Sequence, residues 1–253
     1  MTAPTSTDLS HLGDTRIFVD GKAYADLDAW HAAAARLRAS DPLGISLRAA
    51  IGLGPVAPAD PAGAVTEALT AIGAEHGTHC SGIIGALRNN GIGADGQSNY
   101  LKIMPIRAVP DGDERDKDIA NGIRFAVDHG AKIISMSFGK DYSPGKAAVD
   151  AAVEYAASKN VLLVHAAGND SKDLETAHNF PTAKLLNGTI APNWIEVGAS
   201  TKYADERLPA YFSNYGSKAV DLFAPGEDIF STTPDGTYSV YSGTSMATPE
   251  VAG

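Results

Sequence analysis

Cysteine is almost absent from this sequence. Its 253 residues carry a single one, Cys80, so an internal disulfide framework is excluded and the redox compartment is left open. Basic residues are also scarce: 20 Lys and Arg face 30 Asp and Glu, a formal net charge of −10. That balance argues against nucleic acid or an anionic membrane surface as a partner. No apolar run approaches the ~18 residues needed to cross a bilayer, and the opening MTAPTSTDLSHLGD lacks the basic, apolar and small-residue succession of a secretory signal. No internal repeat is present. What the chain does have is 44% hydrophobic residues, 26 Gly and 14 Pro, the composition of one well-buried, loop-rich domain.

Periodicity assigns the elements. Ile119, Ile123, Ala126 and Val127 fall on one helical face between Asp118 and the stop signal Gly130. Val149, Ala152, Val153 and Ala156 mark a second helix. Short β-rich runs at 102–108, 132–137, 161–165, 194–199 and 220–224 read as strands alternating with those helices, which predicts an α/β fold on a mostly parallel sheet. Residues 227–242 differ: alternating runs flank Pro234-Asp235-Gly236, the signature of a β-hairpin. Residues 1–71 stand apart as an insertion or linker. Leu27, Trp30, Ala34 and Leu37 give them one amphipathic helix, and 39–66 are rich in Ala, Pro and Gly without a period.

Three segments carry groups that serine hydrolysis needs: HGTHCSG (76–82), AAGND (166–170) and GTSMATP (243–249). Such chemistry requires an alcohol beside an imidazole base, and donors aimed at the developing oxyanion. Ser245 lies between small residues at an expected helix N-terminus, where the helix dipole favours an anion. Any one of the three segments has an ordinary explanation, as a packed histidine, a turn asparagine or a helix cap. A zinc site is disfavoured, because the HxxH spacing of His76 and His79 lacks the i, i+4 geometry and internal Glu of metallopeptidases. Cys80 has no separate base and reads as a packing residue.

In order and in detail the three segments resemble the signatures of the subtilisin-like serine peptidases, over roughly residues 72 to 253. The resemblance implies a three-layer fold and a serine endopeptidase. His76 would be its general base, Ser245 its nucleophile and Asn169 its oxyanion donor, with His76 Nε2 within hydrogen-bond reach of Ser245 Oγ. It also implies that Ser137, Phe138 and Gly139 form one wall of the substrate cleft, and Ala166, Ala167 and Gly168 the other. Extended or unfolded polypeptides would bind there largely through their main chain. A cis bond between Phe180 and Pro181 is implied as well. So is a secreted or periplasmic location. No redox or nucleotide cofactor follows. The loop 110–118, with five acidic groups, is chemically able to hold calcium or to select basic substrates, although a solvated acidic loop is the preferred reading.

The sequence departs from the family at two places. No Asp-Ser/Thr/Asp-Gly segment supplies the carboxylate that orients the histidine, and the nearest substitute is Asp20 in IFVDG (17–21). After Ser245 the sequence runs only to PEVAG. The expectation is therefore a domain incomplete at both ends, and an alternative function as a catalytically impaired chain that keeps a peptide-binding groove. An esterase is less favoured, since no G-x-S-x-G elbow surrounds Ser245.

Overall fold

Strand and helix patterns from residue 116 onward resolve into a parallel sheet, each strand of which is followed or flanked by a helix or loop that returns the chain. The structure, a computed structural model, describes residues 74–109 and 114–253, with the backbone of two short strands, β1 (Ile17–Val19) and β2 (Lys22–Tyr24). These two pair antiparallel with Ile17 opposite Tyr24. The helix expected over Leu27–Leu37 and the position of Asp20 lie outside the described residues. The chain divides into two compact units, residues 1–110 with 231–239, and residues 111–230 with 240–253.

The second unit holds the sheet. β3 (Ile133–Met136), β4 (Leu162–Ala166), β5 (Trp194–Ser200) and β6 (Leu222–Pro225) lie side by side in that order, all parallel. Register sets Met136 beside His165 and Ala166 beside Val197. Leu163 and Val164 point to opposite faces, and both are fully buried, so the sheet is covered on both sides. The cover comes from three helices: α2 (Asp116–Asp128), α3 (Lys146–Ser158) and α4 (Thr244–Ala252). α2 packs on α3, and α4 packs across β3 to β6. The predicted apolar faces are the buried ones: Ile119, Ile123, Ala126 and Val127 on α2, and Val149, Ala152, Val153 and Ala156 on α3. Gly130 ends the α2 turn with φ of 87°, a left-handed position where glycine carries no Cβ penalty.

The first unit contains α1 (Ala74–Gly85) and the tip of a hairpin formed by β7 (Ile229–Thr233) and β8 (Thr237–Tyr241). The hairpin turn is the expected Pro234-Asp235-Gly236. Asp235 and Gly236 both have positive φ, 62° and 68°, and Thr237 N donates to Pro234 O. Two positive φ values at an Asp-Gly pair are what a type I′ turn demands. One sequence expectation fails: among the described residues, 101–109 contain no strand. Pro105 lacks an N–H to give a ladder, and Ala108 N turns back to Ile106 O at 3.1 Å. No helix among the described residues is long and apolar enough to cross a membrane.

Candidate active site

β4 ends at Ala166 and runs into Ala167-Gly168-Asn169, while Gly243 delivers the chain into α4 at Thr244 and Ser245. The strand end and the helix start therefore meet. Asn169 Oδ1 accepts two hydrogen bonds from Thr244, one from its backbone N at 2.8 Å and one from Oγ1 at 2.9 Å. Thr244 Oγ1 in turn accepts from Gly168 N at 3.1 Å. With its oxygen held by the helix N-terminus, the exposed Asn169 side chain has its amide N–H groups left as donors.

Ser245 is half-buried and tied to β3's continuation. Its Oγ donates to Ser137 O at 3.3 Å, and Ser137 Oγ donates to Ser245 O at 2.9 Å. The second bond has a cause in the sequence. Pro249 sits inside α4 and has no N–H to give the carbonyl four residues back, which is that of Ser245. Ser137 supplies the donor that proline cannot.

A cavity of about 180 Å³ opens in front of these groups, lined by Phe138, Gly139, Ala166, Gly168, Asn169, Asp170, Asn179, Thr244 and Ser245. Six of the nine residues expected at the site thus border one space: Phe138, Gly139, Ala166, Gly168, Asn169 and Ser245. Ala167 is fully buried and does not line it. Its N donates to Val197 O at 2.9 Å and its O accepts from Asn214 Nδ2 at 2.7 Å. Ser137 acts through Ser245 as described. Asn179 stands between the two walls, its Nδ2 donating to Ala166 O at 2.8 Å. A Cβ on Gly139 would come within 2.2 Å of Asn179 Oδ1, so that wall has to be glycine for the amide to fit. The adjoining Phe180–Pro181 bond is cis, as the resemblance implied. A second cavity, of about 580 Å³, shares Asn169 and is walled by Tyr203, Tyr211, Phe212, Glu227 and Asp228 among others.

The wall carries a polar contact not expected from sequence. Gly139 N donates to Glu114 Oε1 at 3.2 Å. Glu114 O also accepts from Lys140 Nζ, which pairs with Asp116 Oδ1 at 2.8 Å. Burial works against the Asp116 charge, but hydrogen bonds from Lys140, Ser143 and Gly145 N hold its carboxyl below the ordinary value of 3.8. Lys140 N and O both bond to Phe180, at 3.1 and 2.7 Å.

His76 lies in the first unit, near the start of α1. It keeps an exposed surface, yet burial first, and the neighbouring His79 imidazole second, hold it below the ordinary 6.5. A lowered value favours the neutral ring, the form a base requires. α1 is fixed by the hairpin tip: His79, fully buried, meets Ser239 O through Nε2 at 3.1 Å, and Ser231 Oγ donates to His79 O at 2.8 Å. Thr232 Oγ1 bonds Thr78 O at 3.0 Å. Cys80 is buried. No group of three or more His, Cys, Asp or Glu able to hold a metal occurs among the described residues.

Thr244, Asn179, Glu114 and Asn214 escaped the sequence reading. Thr244 was inside a quoted motif and Asn179 immediately before the Phe180-Pro181 pair, so position alone could have raised them. Glu114 belongs to the acidic loop 110–118, whose preferred reading is a solvated run, and Asn214 had no such signal.

Comparison with known proteins gives this arrangement relatives. The model of the family described as "Subtilase family" matches residues 65–253. Thermitase of Thermoactinomyces vulgaris is 43% identical over 179 residues, which are 70% of this chain and 58% of that protein. Subtilisin of Bacillus pumilus is 38% identical over 182 residues, 72% of this chain and 62% of that one. Among solved structures, the self-cleaved protease domain of PatA aligns with a TM-score of 0.57 at 34% identity, over 70% of this chain and 64% of its own. A cold-adapted subtilisin-like serine proteinase aligns at 0.56 and 33%, over 71% and 59%. The chain spans less than two thirds of the length of each of these relatives.

Proposed function

The chain belongs to the subtilase family, and we propose on that premise that it is a serine endopeptidase acting on extended polypeptide. Ser245 Oγ adds to the scissile carbonyl while its proton passes to His76 Nε2. The carbonyl oxygen, now negative, accepts from the Asn169 amide and from the Ser245 N–H at the start of α4. Collapse of this intermediate breaks the C–N bond, and His76 returns the proton to the leaving amine. Water then repeats the sequence on the acyl-enzyme. The observation that supports this reading best is the double hold of Thr244 on Asn169 Oδ1, at 2.8 and 2.9 Å. It prepares the opposite end of the amide as a donor beside Ser245, and a donor that needs no reorganisation stabilises charge most effectively. For the carboxylate that would orient His76 the sequence offers Asp20 as the nearest substitute, at the end of the run Ile17-Phe18-Val19.

A fluorophosphonate label followed by peptide mapping tests the nucleophile, and a chromogenic peptide tests turnover. Label on Ser245 together with peptide hydrolysis supports the peptidase. Absence of label from a folded chain that still binds peptide favours a groove without chemistry. Asn169→Ala is expected to lower kcat by roughly 10²–10³, a range taken from this kind of donor in subtilisin itself and not worked from this structure. Collapse of activity in Asp20→Ala supports the orienting role, and unchanged activity removes it.

A further inference from the structure

Asn214 takes no part in the chemistry above, yet its side chain is 0% exposed and fully engaged. Oδ1 accepts from Asp170 N at 3.0 Å and from Lys172 N at 2.8 Å. Nδ2 donates to Ala167 O at 2.7 Å, and the backbone N donates to Gly168 O at 2.8 Å. These bonds reach residues on both sides of Asn169 and leave Asn169 itself untouched. The loop they hold is unfavourable by itself: Gly168 has φ of 102°, and Ser171, a non-glycine, has φ of 55°. Such left-handed positions persist where the surroundings impose them.

The brace is anchored in the sheet. Ser213 Oγ accepts from Ala199 N of β5 at 2.9 Å and donates to Asn214 O at 2.9 Å. The fit is close as well, since a Cβ on Gly168 would stand 2.4 Å from Asn214 Nδ2. An amide is the side chain of this size that offers one oxygen to two N–H groups and one N–H to a carbonyl. Aspartate keeps the acceptor but sets a carboxylate oxygen against Ala167 O, and leucine supplies neither function.

We propose that Asn214 is a positioning residue for the oxyanion donor: by holding Ala167, Gly168, Asp170 and Lys172, it fixes the point at which the Asn169 amide meets developing charge. The inference rests on the reading of Asn169 as that donor. Asn214 touches no reacting atom, so its effect on kcat passes through Asn169, and an effect through the Gly168 wall falls on KM.

A double-mutant cycle on the full chain tests this, with kcat and KM on a chromogenic peptide for Asn214→Asp, Asn169→Ala and the pair. Asn214→Asp is expected to lower kcat by roughly 10- to 100-fold with KM changed less than about threefold, as a misplaced donor does. In the Asn169→Ala background the same substitution should lower kcat by less than about twofold, because no donor remains to be misplaced. Hydrogen exchange gives a readout independent of turnover: Asn214→Ser, smaller and uncharged, should speed exchange at the Asp170 and Lys172 amides while those of β5 stay protected. If Asn214→Asp does not fold, Asn214→Ser takes its place in the cycle with the same expectation. Equal losses in both backgrounds, or an unchanged kcat, overturn the proposal and leave Asn214 a packing residue. Undiminished kcat in Asn169→Ala overturns instead the donor assignment on which the proposal stands, so the two failures are told apart.

Discussion

Thr244→Val removes one hydroxyl and almost no shape. Valine keeps the β-branch and its restricted χ1, so the fully buried site stays filled. Two bonds disappear, Thr244 Oγ1 to Asn169 Oδ1 at 2.9 Å and Gly168 N to Thr244 Oγ1 at 3.1 Å. Asn169 Oδ1 keeps its bond from Thr244 N at 2.8 Å, so the amide is loosened and not released. Gly168 is only half-buried and borders the cavity, so water can reach its N–H and the stability loss falls at the low end, about 1–2 kcal/mol in all. For catalysis the relevant quantity is the one lost restraint on the donor. About 1 kcal/mol corresponds to a kcat reduced about fivefold, with KM little changed, because the donor is used only once charge develops. Denaturant unfolding gives the first number and initial rates on a chromogenic peptide the second. A fall in stability with kcat intact would refute the reasoning, since the hydroxyl would then serve packing alone. A raised KM at constant kcat would refute it equally, by placing the effect on ground-state binding.

Three further outcomes are expected. Burial and the neighbouring His79 hold the His76 ring below 6.5, and an orienting carboxylate acts the other way, so by NMR the ring should titrate at lower pH in Asp20→Ala than in the parent; the same midpoint in both removes Asp20 as its partner. Asp116→Asn should lose about 1–3 kcal/mol in urea unfolding by leaving Lys140 without its charged partner. A lowered carboxyl pKa contributes stability above the unfolded value and loses it as pH falls through the folded one, so the difference from the parent should be full above about pH 4 and shrink below it. Glu114→Ala should lower KM for peptides about fivefold at unchanged kcat, since it frees Gly139 N for the substrate main chain; an unchanged KM shows that substrate does not compete for that N–H.

The sheet was legible because its signals are redundant. Runs such as 161–165 and 194–199 are apolar but for His165 and Glu196, which hydrogen-bond to each other at 2.9 Å, as suits strands covered on both faces, and α2 and α3 bury the residues that 3.6-residue spacing selects. The hairpin turn was equally plain from Asp235-Gly236. The run 102–108 misled because its composition is strand-like, whereas a strand also needs a partner and a full set of N–H groups, and local composition reports neither. At the site, Ser245, Asn169 and the cleft walls were found through motifs of three to seven residues, short enough for resemblance to register. Asn214 could not be found that way: it lies 45 positions from Asn169, and its role depends on where four backbone groups of another loop stop. Glu114 was masked differently, by acidic neighbours that make any one carboxylate look like part of a solvated run.

The groups that resemblance marks as chemical are also the ones the backbone needs. Pro249 opens the Ser245 carbonyl, and Ser137 closes it. α4 begins with N–H groups that have no carbonyl behind them, and Asn169 Oδ1 accepts from the first of them, Thr244 N. Gly168 N, at the strand end, is met by the Thr244 hydroxyl. Each contact satisfies a polar group that folding would otherwise leave exposed or unpaired, and each also restrains a side chain facing the cavity. Stability and activity are therefore coupled at Ser137, Asn169 and Thr244, and a loss of rate in one variant cannot by itself separate them. Separation requires pairs. Ser137→Ala should cost stability with Pro249 in place, and should cost less when Pro249→Ala restores an N–H to Ser245 O, because the hydroxyl then duplicates a helix bond. If Ser137→Ala costs the same in both backgrounds, the proline does not explain the serine, and that serine's bond to Ser245 has some other origin.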